Sequence, residues 1–309
     1  MPKSFRFSAS LGNLGGDDLV TTARSAEELG YSAVSIADHF YDQSAPLIGL
    51  TAAAMATTNV RVLPLVLAND YRHPVVLAKE LASLDALSGG RLDAGIGAGW
   101  MIADYDQAGM TYDSPGTRIR RLGESVEIIT ALLAGDDPAF DGEFYNVHGA
   151  LSQPLPVQAG GVPLMLAGGK QKMLTLAGQK ADIIGINPGL TAGVIDERAG
   201  QDSTPDKTDQ KLAWVREGAG SRFDDLELQT RLHLAMITDD RESVAAELAP
   251  VLGLSAEDAL HTPHALIGTV EQCIDLVKTW RERWGISFVS LNHENMHDFA
   301  PVVEALAGT

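Results

Sequence analysis

Two neighbouring residues, Asp38 and His39, follow a short run of small and apolar residues, SAVSIA at 32–37. An imidazole in that place takes or gives a proton near neutral pH, or hydrogen-bonds a developing anion. A carboxylate beside it orients the ring, contacts a ligand or caps a turn. A histidine making structural hydrogen bonds at a loop start is the plain alternative. Two glycine-rich segments add chemistry of another kind. GIGAGW at 95–100 brings Gly97, Ala98 and Gly99, where missing side chains let the backbone approach a flat or phosphorylated ligand. Trp100 occupies the third glycine's place of G-x-G-x-x-G, and the segment follows a fourth strand, so a dinucleotide fingerprint does not fit. AGGK, Ala167-Gly168-Gly169-Lys170, lies between a strand and a helix. The N–H groups of that helix start form an anion cradle to which Lys170 adds charge; a tight turn is the alternative.

Other chemistries fit poorly. The eight histidines form neither H-x-H nor H-E-x-x-H, and neighbours such as His293 and Glu294 point to opposite faces of a strand, so no metal site is expected. His261 and His264 flank Pro263 in a loop and read as solvated. Cys273, Trp280 and Trp284 share one helix face and read as core. No G-x-S-x-G hydrolase motif occurs.

The elements that must position these residues repeat a strand–loop–helix rhythm. Strands are expected at 5–10, 32–37, 60–68, 91–97, 162–169, 181–187, 226–238 and 286–291. Asp17 or Asp18 caps a first helix whose stripe is Leu19, Ala23, Ala26 and Leu29. Pro74 opens another, which stops at Ser88-Gly89-Gly90. A long helix ends at Gly135, and the last has Thr269 and Gln272 as a capping box with Gly285 as its stop. Residues 98–113 read as a loop, 140–153 as a hairpin and 188–225 as an insertion with a helical piece at 204–220. Eight strands alternating with helices over 309 residues, with no linker, favour one (β/α)8 barrel domain with insertions at the C-terminal rim. Active sites of such barrels lie at that rim, where the strand ends gather Asp38-His39, Ala68-Asn69, Gly97 to Gly99 and Ala167 to Lys170.

A net charge of −18 argues against nucleic acid as a partner but permits an anionic small ligand. No apolar run is long enough for a membrane helix, MPKSFRFSAS lacks a secretory core, and one cysteine excludes internal disulfides. The expected compartment is the cytoplasm, and the expected partner a small-molecule substrate.

With these residues in hand, the chain resembles the luciferase-like monooxygenase superfamily, in the branch using the deazaflavin coenzyme F420. The resemblance covers nearly the whole length. It is carried by AEELGYSAVSIADHF, RHPVVLAKELASLDALSGGRLDAGIGAGW, PLMLAGGKQKMLTLAGQKADIIGIN and IGTVEQCIDLVKTWRERWGISFVSL, of which the second is highly specific. It implies His39 as the active-site histidine and Asp38 as a cofactor-contacting acid. It also implies a non-prolyl cis peptide near Ala68-Asn69 under the ring, Gly97 to Gly99 along the ribityl and phosphate region, and Gly168, Gly169 and Lys170 as the phosphate turn. A homodimer follows from the same likeness. The glucose-6-phosphate dehydrogenases of this branch carry a catalytic glutamate where this chain has Trp100, which argues against a sugar phosphate. The expected activity is hydride transfer between the deazaflavin and a small organic substrate. An FMN-dependent monooxygenase using O2 and a non-catalytic flavin-binding relative remain as alternatives.

Overall fold

The computed structural model describes residues 2–150 and 153–309. Its strands are β1 (Arg6–Ser10), β2 (Ala33–Ile36), β3 (Arg61–Pro64), β4 (Leu67–Ala68), β5 (Ala94–Gly97), β6 (Phe140–Asp141), β7 (Asn146–Val147), β8 (Leu164–Gly168), β9 (Ile183–Ile186), β10 (Glu227–Arg231), β11 (Leu234–Ile237), β12 (Ala265–Gly268) and β13 (Ile286–Asn292). Nine of them form one parallel sheet in the order β3-β2-β1-β13-β10-β9-β8-β5-β4. A parallel bridge between Val62 and Leu92 brings β3 to the start of β5 and nearly closes the ring. The expected barrel is therefore present, with helices packed outside it. Among the described residues no helix is long and apolar enough to cross a membrane.

The helices are α1 (Gly16–Glu28), α2 (Pro46–Ala56), α3 (Pro74–Ser88), α4 (Ile102–Ala108), α5 (Pro115–Ala134), α6 (Gln171–Lys180), α7 (Glu197–Gln201), α8 (Pro205–Ala219), α9 (Arg241–Leu248), α10 (Ala256–His261), α11 (Val270–Trp284) and α12 (Ala300–Leu306). Local chemistry accounts for their ends. Gly89, Gly135 and Gly285 adopt the left-handed conformation that ends α3, α5 and α11. Thr269 and Gln272 form the reciprocal capping box of α11, whose buried face is Cys273, Val277, Trp280 and Trp284.

Four expectations need correction. The run 60–68 is two strands, Arg61–Pro64 and Leu67–Ala68, and the non-prolyl cis peptide lies between them at Leu65-Val66, before Ala68-Asn69 and not at it. Gly95 and Gly97 face the break: a Cβ on Gly95 would stand 2.0 Å from the Pro64 carbonyl oxygen, and one on Gly97 2.7 Å from Val66 Cγ2. The run 226–238 is likewise two strands. Leu232 still donates to the Ser290 carbonyl, but β11 then leaves the barrel to pair with β12 in a separate parallel sheet. Residues 98–113 contain a helix, α4, ended by Gly109 at φ 64°. The first helix, Gly16–Glu28, starts without a side-chain cap; Asp17 and Asp18 sit in its first turn, where the helix dipole favours them. The hairpin is present as antiparallel β6 and β7, with residues 151–152 of the expected 140–153 stretch outside the described residues.

The barrel interior is filled by Ala33, Leu63, Met165, Ile183 and Phe288. At the N-terminal ends of the strands Asp93 pairs with Arg6 at 2.5 Å and Arg61 at 2.6 Å, while Arg6 also reaches Glu227 at 2.6 Å. Core and ion cluster together close that end. The open mouth is the C-terminal rim.

Candidate functional site

The rim encloses a cavity of about 870 Å³. Asp38, His39, Ala68, Gly97, Ala98, Gly99, Ala167, Gly168, Gly169 and Lys170 all line it. Asn69 does not: it is fully buried, and its amide donates to the Tyr145 hydroxyl at 3.4 Å. One end of one molecule thus gathers ten of the eleven residues picked out from the sequence.

His39 is held by a residue 65 positions away. Its Nδ1 lies 2.7 Å from Asp104 Oδ2, on α4. Asp104 is buried and also accepts from the Phe40 amide at 3.2 Å and the Tyr71 hydroxyl at 3.3 Å. A carboxylate with three donors around it fixes the proton on Nδ1, which leaves Nε2 as the working nitrogen. The His39 ring stacks on Tyr41 at 4.9 Å and meets the edge of Trp100 at 5.5 Å. Burial and the Asp104 charge both raise the Tyr71 phenol above its ordinary range, so it stays a donor. Asp38, by contrast, does not orient His39. Its carboxylate pairs with Arg72 at 2.5 Å and accepts from the Ala68 amide at 3.1 Å, clamping the end of β4.

The floor beside His39 is apolar: Leu65, Val66, Leu67 and Ala68. Gly99, at φ 74°, lies against Tyr105, whose hydroxyl would stand 2.1 Å from a Cβ there. Across the mouth, α6 begins without a side-chain cap, so its first N–H groups are free to receive an anion. Glycine is required at that turn: a Cβ on Gly169 would stand 2.4 Å from Asn187 and Pro188 backbone atoms. The Lys170 ammonium is already matched by Asp202 at 2.7 Å, so the cradle rests on backbone N–H groups more than on lysine charge. These parts would fit a flat ligand with an anionic tail: the floor is apolar and the helix start presents backbone N–H groups.

Arg231, His233 and His264 also line the cavity and were not among the residues expected at the site. His264 is a correction, since it is buried (1% exposed) rather than solvated, whereas His261 is exposed as expected. Arg231 and His233 stand two apart at a strand end, which is a readable signal, but within one continuous strand they look like interior alternation. Asp104 gave no local signal, because only the tertiary fold brings it to His39. No cluster that could hold a metal ion is present among the described residues.

The protein walls around the cavity and the Arg231 charge hold the His233 pKa down to about 4, although the residue is exposed to the cavity, from about 6.5 in an unfolded chain. Between those values the unfolded chain binds a proton that the folded one refuses, so stability falls as pH drops through this window. His264, lowered by burial, acts in the same direction. Urea midpoints measured near pH 7 and near pH 5 should fall further for the native chain than for His233→Gln. Equal losses would remove His233 as a cause.

An eight-staved parallel barrel with a cofactor-sized cavity at its C-terminal rim defines an α/β-barrel enzyme architecture. The chain belongs to the luciferase-like monooxygenase family, whose family model matches residues 4–249. It is 30% identical over 202 residues to an F420-dependent glucose-6-phosphate dehydrogenase of Gordonia bronchialis, covering 62% of this chain and 59% of that protein. It is 27% identical over 285 residues to a 4-hydroxyprotoasukamycin monooxygenase of Streptomyces nodosus subsp. asukaensis, covering 84% of this chain and 75% of that one. Among solved structures, the coenzyme F420-dependent tetrahydromethanopterin reductase of Methanopyrus kandleri superposes with a TM-score of 0.76 at 20% identity, over 98% of this chain and 97% of that one. The last likeness bears on the fold alone.

Proposed function

We propose that this protein is an F420-dependent oxidoreductase that moves a hydride between C5 of the deazaflavin and a small organic substrate bearing a C=C, C=O or C=N bond. The observation that carries the reading is the Asp104-tethered His39 facing the same cavity as the apolar 65–68 floor and the uncapped start of α6. When bound, the cofactor supplies the hydride chemistry. Leu65 to Ala68 hold its ring, Gly97 to Gly99 flank its chain, and Gly168 to Lys170 hold its anionic tail. His39 Nε2 holds or moves a proton at the substrate or ring. Trp100 and Tyr41 pack around His39. Trp100 stands where the resemblance places the glutamate of the sugar-phosphate dehydrogenases, so the substrate differs from that of the Gordonia relative.

A second reading is an FMN-dependent monooxygenase, favoured by the monooxygenase likeness that spans 84% of this chain. Side-by-side titration with oxidised F420 and FMN separates the two. The first reading expects F420 to bind about tenfold tighter or more, a difference of roughly 1.4 kcal/mol. Tighter FMN, with oxygen uptake by the reduced FMN complex, would establish the second and defeat the first.

A further inference from the structure

One corner of the cavity takes no part in the reading above. β10 ends at Arg231, and as the chain turns out of the barrel Arg231 and His233, two apart, both line the cavity. His264 reaches the same corner from the residue before β12, its ring 5.8 Å from that of His233. His264 Nδ1 lies 3.2 Å from the Arg231 carbonyl oxygen and 3.2 Å from Thr230 Oγ1. A carbonyl only accepts, and the Thr230 hydroxyl already donates to the Pro263 carbonyl at 2.9 Å, so Nδ1 carries the proton. Nε2 is left without a partner in a side chain that is 1% exposed.

The charges of the cavity wall do not balance at this corner. Asp38 is matched by Arg72, Lys170 by Asp202 and Asp196 by Arg198; Asp104 is held by hydrogen bonds from His39 and Tyr71, and Glu197 is exposed. Arg118 is buried, bonded to the Asp113 carbonyl and the Tyr112 hydroxyl, and lies 4.1 Å over the Tyr112 ring. Arg231 has one side-chain hydrogen bond, to Asn292 Oδ1 at 2.7 Å, and no carboxylate partner among the described residues. Its remaining donors are uncommitted. The enclosing walls desolvate it enough to lower its pKa, and its charge reaches the Tyr41 hydroxyl, whose ring stacks on His39. A guanidinium held in a walled space without a counter-charge is costly, and a ligand that brings the charge removes that cost. Both imidazoles are neutral at pH 7, His264 through burial and His233 through the enclosing walls and the Arg231 charge, so the corner offers one positive charge. One charge matches a carboxylate in the forked geometry of guanidinium; a phosphate dianion would be half compensated in a chain of net charge −18.

We propose that the substrate is a monocarboxylate whose carboxylate seats on Arg231, with the His233 imidazole as a further donor and the reacting carbon on the Tyr41–His39 side. This rests on the reading of the cavity as a redox site. The rival occupant of Arg231 is the cofactor's own anionic tail.

The test is calorimetric titration of acetate, butyrate and benzoate, each against its primary amide, into cofactor-free protein and into protein saturated with oxidised F420. At least one acid should bind about tenfold tighter than its amide. Arg231→Gln should abolish that preference and Arg231→Lys keep part of it, while the F420 affinity of both stays within about twofold of the native chain; their circular dichroism spectra report folding. If no acid is preferred, or the preference survives Arg231→Gln, the proposal is wrong. It is equally wrong if Arg231→Gln weakens F420 binding about tenfold, since the arginine then serves the cofactor, and the redox reading stands. If the native chain binds no F420 but the arginine-dependent acid preference is present, the carboxylate anchor holds and the F420 reading fails.

Discussion

Replacing His39 by alanine is expected to lower turnover on the order of 10²-fold or more, with little change in cofactor affinity. The expectation follows from the tether. Asp104 holds Nδ1 at 2.7 Å, so Nε2 is presented to the cavity in one protonation pattern and one orientation. A positioned proton donor or acceptor contributes about 10²–10⁴-fold, and alanine removes it outright. Asp104→Asn should cost on the order of 10-fold or more, because an amide no longer enforces the proton on Nδ1 while still filling the space. The two changes act on one unit, so the double variant should be no slower than His39→Ala alone. Turnover is measured with the best acceptor from a screen of enones, ketones and imines, beside circular dichroism to confirm folding. Native turnover by a folded His39→Ala protein would end the assignment. A double variant slower by the product of the two single losses would show that Asp104 acts apart from His39.

Gly95→Ala is expected to be the most damaging single-methyl change in the barrel. The added carbon would sit 2.0 Å from the Pro64 carbonyl oxygen and 3.2 Å from Val66 Cγ1. Backbone oxygen has no rotamer by which to retreat, so β3 and β5 must separate or the 64–66 segment must move. Overpacking a well-filled interior costs about 1–3 kcal/mol, occasionally more, and the backbone contact puts this site at or above the top of that range. Urea unfolding should show a lower midpoint at unchanged slope. Ala98→Gly, at the residue just after β5, provides a one-methyl control and should shift the midpoint far less. A Gly95→Ala protein as stable as the native one would mean that the segment yields freely.

The eight staves were readable because their apolar runs are short, buried on both faces and separated by strong helix signals. Thr269 with Gln272 and Gly285, or Pro74 with Gly89, mark their helices by local chemistry alone, and those ends lie where the residues indicate. The break inside 60–68 was not readable. Leu65 and Val66 look like any strand interior, and the residues that make room for the break, Gly95 and Gly97, lie about 30 positions on. The exit of the chain after Arg231 was hidden for a similar reason: β11 finds its partner in β12, a strand about thirty residues later that has no periodic signature of its own. The same asymmetry holds at the site. Glycine turns and a histidine at strand ends are local features, and they converge. The carboxylate that aims His39, the Arg72 clamp that takes up Asp38 instead, and the uncompensated Arg231 are relations between distant parts, which a linear reading cannot weigh.

The excursion of β11 and β12 has a bearing on how such a scaffold changes its clientele. That two-stranded patch shares no ladder with the staves, so substitutions, insertions or deletions within it leave every barrel register untouched. Yet its two parallel strands start side by side directly after His233 and His264, on the wall of the cavity. Drift in this appendage would retune which molecules are accepted while the ring floor and the helix that receives the tail keep their shape, letting specificity diverge faster than chemistry.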